Sequence, residues 1–171
     1  EALRIGDRIA LMKDGVIVQI GTAEEILMDP ANDYVERFVE DVDLAKVLTA
    51  GHVMKRAENV TPDRGPRVAL QMMRDQGIST VYVIDRKRKL LGFITADQAS
   101  TASKEQKRIE EGRELYRDTL LTDLFETMAT ANVPLAVVDD SGRLQGIVVK
   151  GAVMGAMAGN DDVINGNGVI S

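Results

Sequence analysis

Few side chains in this 171-residue sequence could do chemistry. It contains no Cys and a single His, His52, which excludes disulfides, thiol catalysis, a histidine-based triad and an ordinary zinc site. Residues 146–151 carry two glycines at the spacing of a phosphate-binding P-loop, but Lys150 precedes the second glycine and Ala152 follows it. The residue types therefore predict no catalytic centre and no metal site.

Charge is the other source of chemistry, and residues 86–89 (Arg86, Lys87, Arg88 and Lys89) form a basic run. Such a run can attract an anionic surface, and it equally fits a solvated hairpin turn. The net charge is −6 and aromatic residues make up 4%, so no nucleic-acid partner is expected. The whole negative excess lies in residues 1–49, with 5 basic and 11 acidic side chains, which predicts a boundary near Ala50.

The elements of the acidic first segment are readable from local signals. Residues 8–12 and 16–20 predict two strands joined by a turn at Gly15. Residues 22–25 have the spacing of a capping box, so a helix follows to Met28. We expect a second helix from Asn32 or Asp33, with an apolar stripe of Tyr34, Val35, Phe38, Val39 and Val42. These elements are too small to bury a sufficient core alone.

The same segment resembles the end of the nucleotide-binding domain of ABC transporter ATPases. The resemblance rests on residues 7–15 (DRIALMKDG), 16–22 (VIVQIGT) and 24–27 (EEIL). It implies that the P-loop, the signature motif, the catalytic carboxylate and the switch histidine precede residue 1. ATP and Mg²⁺ would then be bound by that missing parent domain, and this fragment would not hydrolyse ATP. The chain also starts without Met, so we expect a soluble, cytoplasmic piece of a larger protein.

The second segment contains an internal repeat at an offset of 54 residues. The offset aligns Val83 with Val137, Asp85 with Asp139, Leu90 with Leu144 and Gly92 with Gly146. Each copy predicts a helix (67–76 and 120–130), a short apolar strand (81–84 and 135–138), a charged turn, a return strand (90–95 and 144–149) and a last helix. We therefore expect an α/β (α+β) fold in which two similar units lean on each other about a pseudo-two-fold axis.

This doubled pattern resembles a tandem cystathionine-β-synthase (CBS) domain pair, through residues 77–85 and 92–95 and through 133–139 and 146–148. An ABC-ATPase end followed by such a pair resembles the ATP-binding subunit of glycine betaine/L-proline osmoprotectant importers. The two resemblances cover nearly the whole chain and imply five parts: an ATPase remnant with a linker helix (1–43), CBS repeat 1 (44–99), a charged linker (100–118), CBS repeat 2 (119–158) and a flexible tail (159–171).

The CBS resemblance also implies a ligand cleft between the repeats, for an adenine nucleotide or a cyclic dinucleotide. In nucleotide-binding pairs a Gly-h-h-Thr/Ser-x-x-Asp stretch supplies a hydroxyl to phosphate and a carboxylate to ribose. The first repeat has Gly92 and Thr95, but its acidic residue, Asp97, is one place early. The second repeat has Val149 and Ala152 at the two polar positions. The remaining candidates are Ser79, Thr80, Tyr82, Thr95 and Asp97, which equally fit strand-end and cap roles.

The importer resemblance implies a regulatory role on the inner face of the cell membrane. It implies a homodimer through CBS pairs, a permease partner, and sensing of ionic strength at an anionic membrane surface. Residues 100–118 are charged but neutral overall and predict a solvated helix, which fits a sensor, a dimer-forming segment or an allosteric spacer. A purely structural dimerisation module without a ligand is the alternative function, and an independent enzyme in the cleft is a third.

Overall fold

The computed structural model describes residues 8–101 and 114–158. Most of the predicted linker and the predicted tail at 159–171 lie outside the described residues. Within the described ranges, no helix is both long and apolar enough to cross a bilayer. The same ranges contain no group of acidic, histidine or cysteine side chains that could hold a metal ion.

The first segment is an antiparallel hairpin followed by two short helices. The elements are β1 (Ile9–Lys13), β2 (Val16–Gly21), α1 (Ala23–Met28) and α2 (Asp33–Val39). The turn is as predicted, because Asp14 and Gly15 both take positive φ, at 51° and 79°. Both bonds of the capping box form between Thr22 and Glu25, and the Asn32 side chain caps α2.

This segment has a small core of its own and a link to the rest of the chain. Leu11, Ile26 and Val35 are buried together, whereas Phe38, expected in the apolar stripe, is 53% exposed. Met28, at the end of α1, packs outside this small core and contacts the core of the second repeat. The hairpin and helices are therefore anchored to a larger hydrophobic core, as their size requires.

The repeats form the rest of the described chain. After short helical segments at Leu44–Lys46 and α3 (Ala50–Val53), the first repeat comprises β3 (Asn59–Val60), a 3₁₀ turn (Pro62–Arg64), α4 (Gly65–Gln76), β4 (Thr80–Ile84), β5 (Leu90–Thr95) and α5 (Ala96–Thr101). The second comprises β6 (Glu114–Tyr116), α6 (Leu121–Thr130), β7 (Leu135–Val138), β8 (Leu144–Val148) and α7 (Lys150–Met157). The predicted helices and paired strands are confirmed, and each repeat has the order β-α-β-β-α.

Each repeat builds a three-stranded sheet with the same topology, β3-β4-β5 and β6-β7-β8. The first two strands of each sheet are parallel and the last two are antiparallel. Even the irregularities coincide, because the register shifts after Val83 in one hairpin and after Val137 in the other. The 54-residue repeat in the sequence is thus a repeat of backbone geometry.

The structure differs from the predicted boundaries at two places. Glu114–Tyr116, inside the segment predicted as a helical linker, forms strand β6 and pairs in parallel with β7. Residues 44–55, assigned to the first repeat, pack on the second: Ala45 and Leu48 join its core, and Lys55 exchanges two backbone hydrogen bonds with Ile147. In both cases partners distant in sequence decide the structure, which local patterns do not reveal.

The two hairpin turns are joined about the pseudo-two-fold axis. The Leu90 N–H donates to the Gly142 carbonyl at 2.9 Å, and the Leu144 N–H donates to the Arg88 carbonyl at 3.0 Å. The two bonds are equivalent, because the repeat offset of 54 residues relates the donors Leu90 and Leu144 and the acceptors Arg88 and Gly142. Beneath the turns, equivalent residues of both repeats form one buried cluster, which includes Ile84 with Val138 and Leu90 with Leu144. The halves therefore fold against each other through a shared apolar face.

Candidate functional site

The shared face contains one buried hydroxyl. Tyr82 on β4 is 2% exposed, and its hydroxyl donates to the Pro134 carbonyl just before β7, at 2.6 Å. The equivalent residue of the second repeat, Ala136, is too small to make such a contact and is buried beside it in the same cluster. Burial raises the pKa of the Tyr82 hydroxyl above its ordinary value. Tyr82 therefore links the two repeats by a hydrogen bond across their shared apolar face.

Four other predicted ligand residues lie at one end of the β4–β5 hairpin. Thr80 is buried and faces Thr95 across the antiparallel pair. The Ser79 carbonyl accepts the N–H of Ala96, so the start of β4 adjoins the start of α5. Asp97 is exposed in the first turn of α5. The structure thus brings Ser79, Thr80, Thr95 and Asp97 to one edge, with Tyr82 further along β4 on the inter-repeat face.

The Thr95 hydroxyl is already engaged locally. It accepts the Gln98 N–H at 3.4 Å, while the Gln98 side-chain oxygen accepts the Thr95 N–H at 2.8 Å. This is the reciprocal arrangement of a helix N-cap, and the hydroxyl keeps its own proton as a further donor. At the equivalent position of the second repeat, Val149 makes no side-chain cap bond. Polar groups for a ligand are therefore concentrated on the first repeat.

The basic run forms the turn between β4 and β5, and all four side chains are exposed. Its shape is set by Asp85, whose carboxylate accepts the N–H groups of Lys87 and Lys89 at 2.8 Å each. Arg88 takes φ 67° and its guanidinium donates to the Leu144 carbonyl at 3.4 Å. Arg88 thus takes part in the contact between repeats, and Lys89 does so through an isolated bridge with Arg143. Among the residues that the structure describes, Arg86 and Lys87 make no hydrogen bond to the second repeat.

The equivalent turn of the second repeat uses Asp139 in the same way. Its carboxylate accepts the N–H groups of Ser141 and Arg143, at 3.0 and 2.9 Å, and pairs with the Arg143 guanidinium at 2.8 Å. The backbone bond from Arg143, with the other contacts, holds the pKa of the Asp139 carboxyl below its usual range. Beside this turn lies a cleft of about 430 Å³ that Thr49, Arg117 and Asp140 help to line.

A junction that the sequence analysis missed joins the first segment to the second repeat. The Thr49 N–H donates to His52 Nδ1 at 2.9 Å, which leaves the proton of a neutral ring on Nε2. Nε2 lies 3.2 Å from a carboxylate oxygen of Glu24 on α1. Nearby, a groove of about 700 Å³ separates α1 and α2 from the end of α7. The signal in the sequence was the three-residue spacing of Thr49 and His52, which resembles a capping box.

Comparisons with known proteins agree with this architecture. The CBS domain family matches residues 50–104 and 115–159. The glycine betaine transport ATP-binding protein OpuAA of Bacillus subtilis is 57% identical over 173 residues, which cover 98% of this chain and 41% of that protein. The chain spans about two fifths of the length of the curated relatives that it matches.

Solved structures show the same fold. Staphylococcus aureus OpuCA superposes with a TM-score of 0.56 and 24% identity, over 62% of this chain and 96% of that chain. CBSX2 of Arabidopsis thaliana, solved in complex with AMP, gives a TM-score of 0.58 and 22% identity, over 65% of this chain and 96% of that chain. At these identities the likeness concerns the fold, and it confirms the predicted tandem arrangement.

Proposed function

The chain belongs to the CBS domain family, and from that premise we propose that it is the regulatory part of the ATP-binding subunit of a glycine betaine/L-proline ABC importer. The similarity to OpuAA along almost the whole chain supports this assignment. In this proposal the parent domain binds ATP and Mg²⁺, the permease is the membrane partner, and the module lies at the cytoplasmic face of the membrane. Residues 1–43 end the ATPase domain, and the two repeats follow it along the chain.

The observation that carries the proposal is the packing of the ATPase-like segment on the second repeat. Met28 at the end of α1 packs on the buried cluster that contains Leu121 and Leu124. The pair between Glu24 and His52 adds a polar contact at the same junction. Because packed interiors transmit displacement, a change in how the repeats associate would move α1 relative to its own domain.

Exposed apolar side chains of the hairpin support a larger parent domain. Met12, Val16, Ile17 and Ile20 are each more than half exposed on β1 and β2. Large apolar side chains exposed this close together are typical of a surface that another part of a protein covers. In the proposed subunit the preceding ATPase structure covers it.

We further propose that an adenine nucleotide or a cyclic dinucleotide binds between the two repeats, in the cleft that the CBS resemblance implies. The residues proposed to contact it are Ser79, Thr80, Tyr82, Thr95 and Asp97. The buried Thr80 and the remaining donor of Thr95 support a polar ligand at this edge. A ligand can regulate only if it binds two arrangements of the subunit with different affinity. The alternative, a structural dimerisation module without a ligand, is favoured by the cap role of Thr95 and by the apolar Val149 in the second repeat.

A response to ionic strength is the second form of regulation in this proposal. Exposed charges at residues 86–89 would meet an anionic membrane surface, and the attraction would weaken as the Debye length shortens from ~10 Å at 0.1 M salt to ~3 Å at 1 M. Arg86 and Lys87 are the residues to change, because Arg88 donates a hydrogen bond to the second repeat and Lys89 forms a bridge with Arg143. Binding of the chain to anionic vesicles that does not change with salt would contradict this form.

Transport by the reconstituted importer tests the regulatory role. The full subunit with its permease, in liposomes, is compared with a subunit truncated after residue 43, and both glycine betaine uptake and ATP hydrolysis are measured against KCl concentration. We expect the truncated subunit to keep hydrolysing ATP and to lose the salt response. An unchanged salt response would refute the regulatory role.

Thermal unfolding tests the ligand. AMP or a cyclic adenine dinucleotide at 100 times its Kd should stabilise the 171-residue chain by about 2.7 kcal/mol, and Asp97→Ala should reduce that effect while Asp75→Ala should not. If none of these compounds raises the thermal midpoint, the function is that of a structural module without a ligand.

A further inference from the structure

The groove between the first segment and the second repeat is lined by large apolar side chains, and we call it the junction groove. Its volume of about 700 Å³ lies within the range of about 300–1,000 Å³ that is usual for binding pockets. One side is formed by α1, α2 and the residues after α2, and the other side by the end of α7. The apolar side chains of the lining include Leu27, Met28, Val39, Val42, Leu44 and Met157.

The last described residues of the chain lie on this groove. Met157 ends α7, Ala158 follows it, and both residues are exposed and line the groove. Residues 159–171, which we call the tail, follow directly and lie outside the described residues. Because the tail is covalently attached at the groove, its effective concentration there is on the order of mM, so that even a weak contact would be occupied.

The tail has two pairs of large apolar side chains, Val163 with Ile164 and Val169 with Ile170. An extended chain spans about 3.3–3.6 Å per residue, so Val163 can lie as far as about 17 Å from Ala158. This reach exceeds the spacing of about 8–10 Å between packed helices. The first apolar pair can therefore cross the groove from α7 to the wall that α2 forms.

The rim of the groove carries a cation without a salt bridge. Arg37 on α2 is exposed, and the salt bridges within 4.0 Å among residues 8–101 and 114–158 do not include it. Asp43, also on the rim, is paired with Lys46 at 2.9 Å. Glu36 and Glu40 are the remaining charged residues of the lining.

The charges of the tail suit this rim in one arrangement. Asp161 and Asp162 directly precede the first apolar pair, and they are complementary to Arg37. Residues 163–171 carry no charged side chain, so they can lie beside Glu36 and Glu40 without repulsion between like charges. The aspartates are therefore expected at Arg37, with the neutral part of the tail along the rest of the groove.

We propose that the tail docks in the junction groove of its own chain, with Val163 and Ile164 against the apolar lining and the two aspartates beside Arg37. A tail in this position contacts both walls, so it ties α1 and α2 to the end of α7 and strengthens the junction between the first segment and the second repeat. The inference goes beyond the proposed function and does not depend on it, because the contact lies within one chain.

Thiol labelling measures the docking directly, because the sequence contains no Cys and a single introduced thiol is the only one that reacts. Val42→Cys places the thiol in the groove, and Leu91→Cys, at a 41% exposed side chain on β5, is the control. Each is made in the 171-residue chain and in a chain that ends at Ala158, and the reaction with a disulfide reagent is timed. The tail should slow labelling at position 42 by about fivefold or more and leave position 91 unchanged. Equal rates at position 42 with and without the tail would overturn the inference.

Variants of the tail and the rim test the anchors in the chain that carries Val42→Cys. V163S/I164S should label nearly as fast as the truncated chain, whereas the matched control N165S/N167S should stay protected. R37E should also lose protection, and D161K/D162K should restore it in the R37E chain by reversing both charges. Protection that survives V163S/I164S, or a charge reversal that fails to recover it, would overturn the proposed contacts.

A mixing experiment identifies the chain that supplies the tail. The truncated Val42→Cys chain is labelled in the presence of an equal micromolar concentration of the original chain, which has the tail and no thiol. We expect no protection, because docking within one chain does not act on another, and protection would assign the groove to the tail of a second copy. Circular dichroism verifies that each variant is folded. An importer without a salt response would overturn the proposed function and leave these labelling rates as they are.

Discussion

Replacing Tyr82 by Phe removes a single hydrogen bond between the two repeats and leaves the packing of the ring in place. The hydroxyl is the donor in a 2.6 Å bond to the Pro134 carbonyl, on a side chain that is 2% exposed. A phenylalanine at this position keeps the contacts of the ring with the apolar cluster of both repeats. The change therefore isolates one polar contribution to the association of the two halves.

The expected loss of stability depends on whether the Pro134 carbonyl keeps a hydrogen-bond partner. A hydrogen bond contributes about 0.5–1.5 kcal/mol on average, and leaving a buried partner without its bond costs about 1–3 kcal/mol. Because the new phenyl ring would cover the Pro134 carbonyl and exclude water, we expect Tyr82→Phe to lower the free energy of unfolding by about 1–3 kcal/mol. For a domain of this size each kcal/mol lowers the thermal midpoint by about 2–4 °C.

Urea unfolding followed by circular dichroism measures the effect, with Tyr116→Phe as the control. Tyr116 is 53% exposed, so its loss of a hydroxyl should change the free energy by less than about 0.5 kcal/mol. If Tyr82→Phe is as mild as the control, the bond to Pro134 does not contribute to the association of the repeats. An unchanged m-value would confirm that the variant loses stability and not compactness.

Alkaline pH provides a second readout of the same residue. Burial raises the pKa of Tyr82 above its ordinary value of 10.0, so the folded chain holds a proton that the unfolded chain releases. This contribution to stability is complete below pH 10 and is lost as the pH rises above it. The original chain should therefore lose stability above pH 10 more steeply than Tyr82→Phe. Parallel declines in the two proteins would show that Tyr82 ionises without unfolding.

Two further predictions concern the hairpin turns. Gly142→Ala should lower the free energy of urea unfolding by about 1–2 kcal/mol, because the φ of Gly142, 73°, is left-handed and the new Cβ would lie 3.3 Å from the Lys89 side chain. The control Gly151→Ala, in α7 with open space around the new Cβ, should be neutral or stabilising. Equal effects of the two changes would contradict the geometry. Asp139→Asn should destabilise the chain at neutral pH, and the difference in stability between the two proteins should shrink as the pH falls below 3.8. A carboxyl group with a lowered pKa stabilises the fold above its ordinary pKa, and this stabilisation is lost as the pH falls through the lowered pKa. A stability difference that does not depend on pH would show that the effect does not come from the charge of Asp139.

Local signals predicted most elements of the repeats. The central strands β4 and β7 were found because they are buried along their whole length, and strand β6, which is not, was missed. All residues of β4 and β7 are buried, and all but Thr80 and Tyr82 are aliphatic, so the composition of these strands indicates a buried environment. In β6 only Leu115 is buried, between an exposed Glu114 and an exposed Tyr116. Three residues with one buried side chain become a strand only because β7 offers a parallel partner.

The residues of the candidate site are a prediction from the sequence, and their hydrogen bonds come from the structure. Thr95 and Asp97 were found through a family pattern, and the structure places them together with Ser79 and Thr80 at one edge. Pro134, the partner of Tyr82, carries no polar side chain and so gave no signal. The contact of His52 with Glu24 joins residues from two segments, which only the packed structure brings within 3.2 Å.

The amino-acid sequence alone determined the doubled order of helix, strand, turn, strand and helix, the capped helices and the excess negative charge of the first segment, because periodicity, caps and turns act over a few residues. The tertiary structure alone decided that the turns exchange reciprocal hydrogen bonds, that residues 44–55 complete the second repeat, and that a groove separates α1 and α2 from the end of α7. Those outcomes depend on which surfaces remain uncovered once the two halves have packed, and no local pattern contains that information.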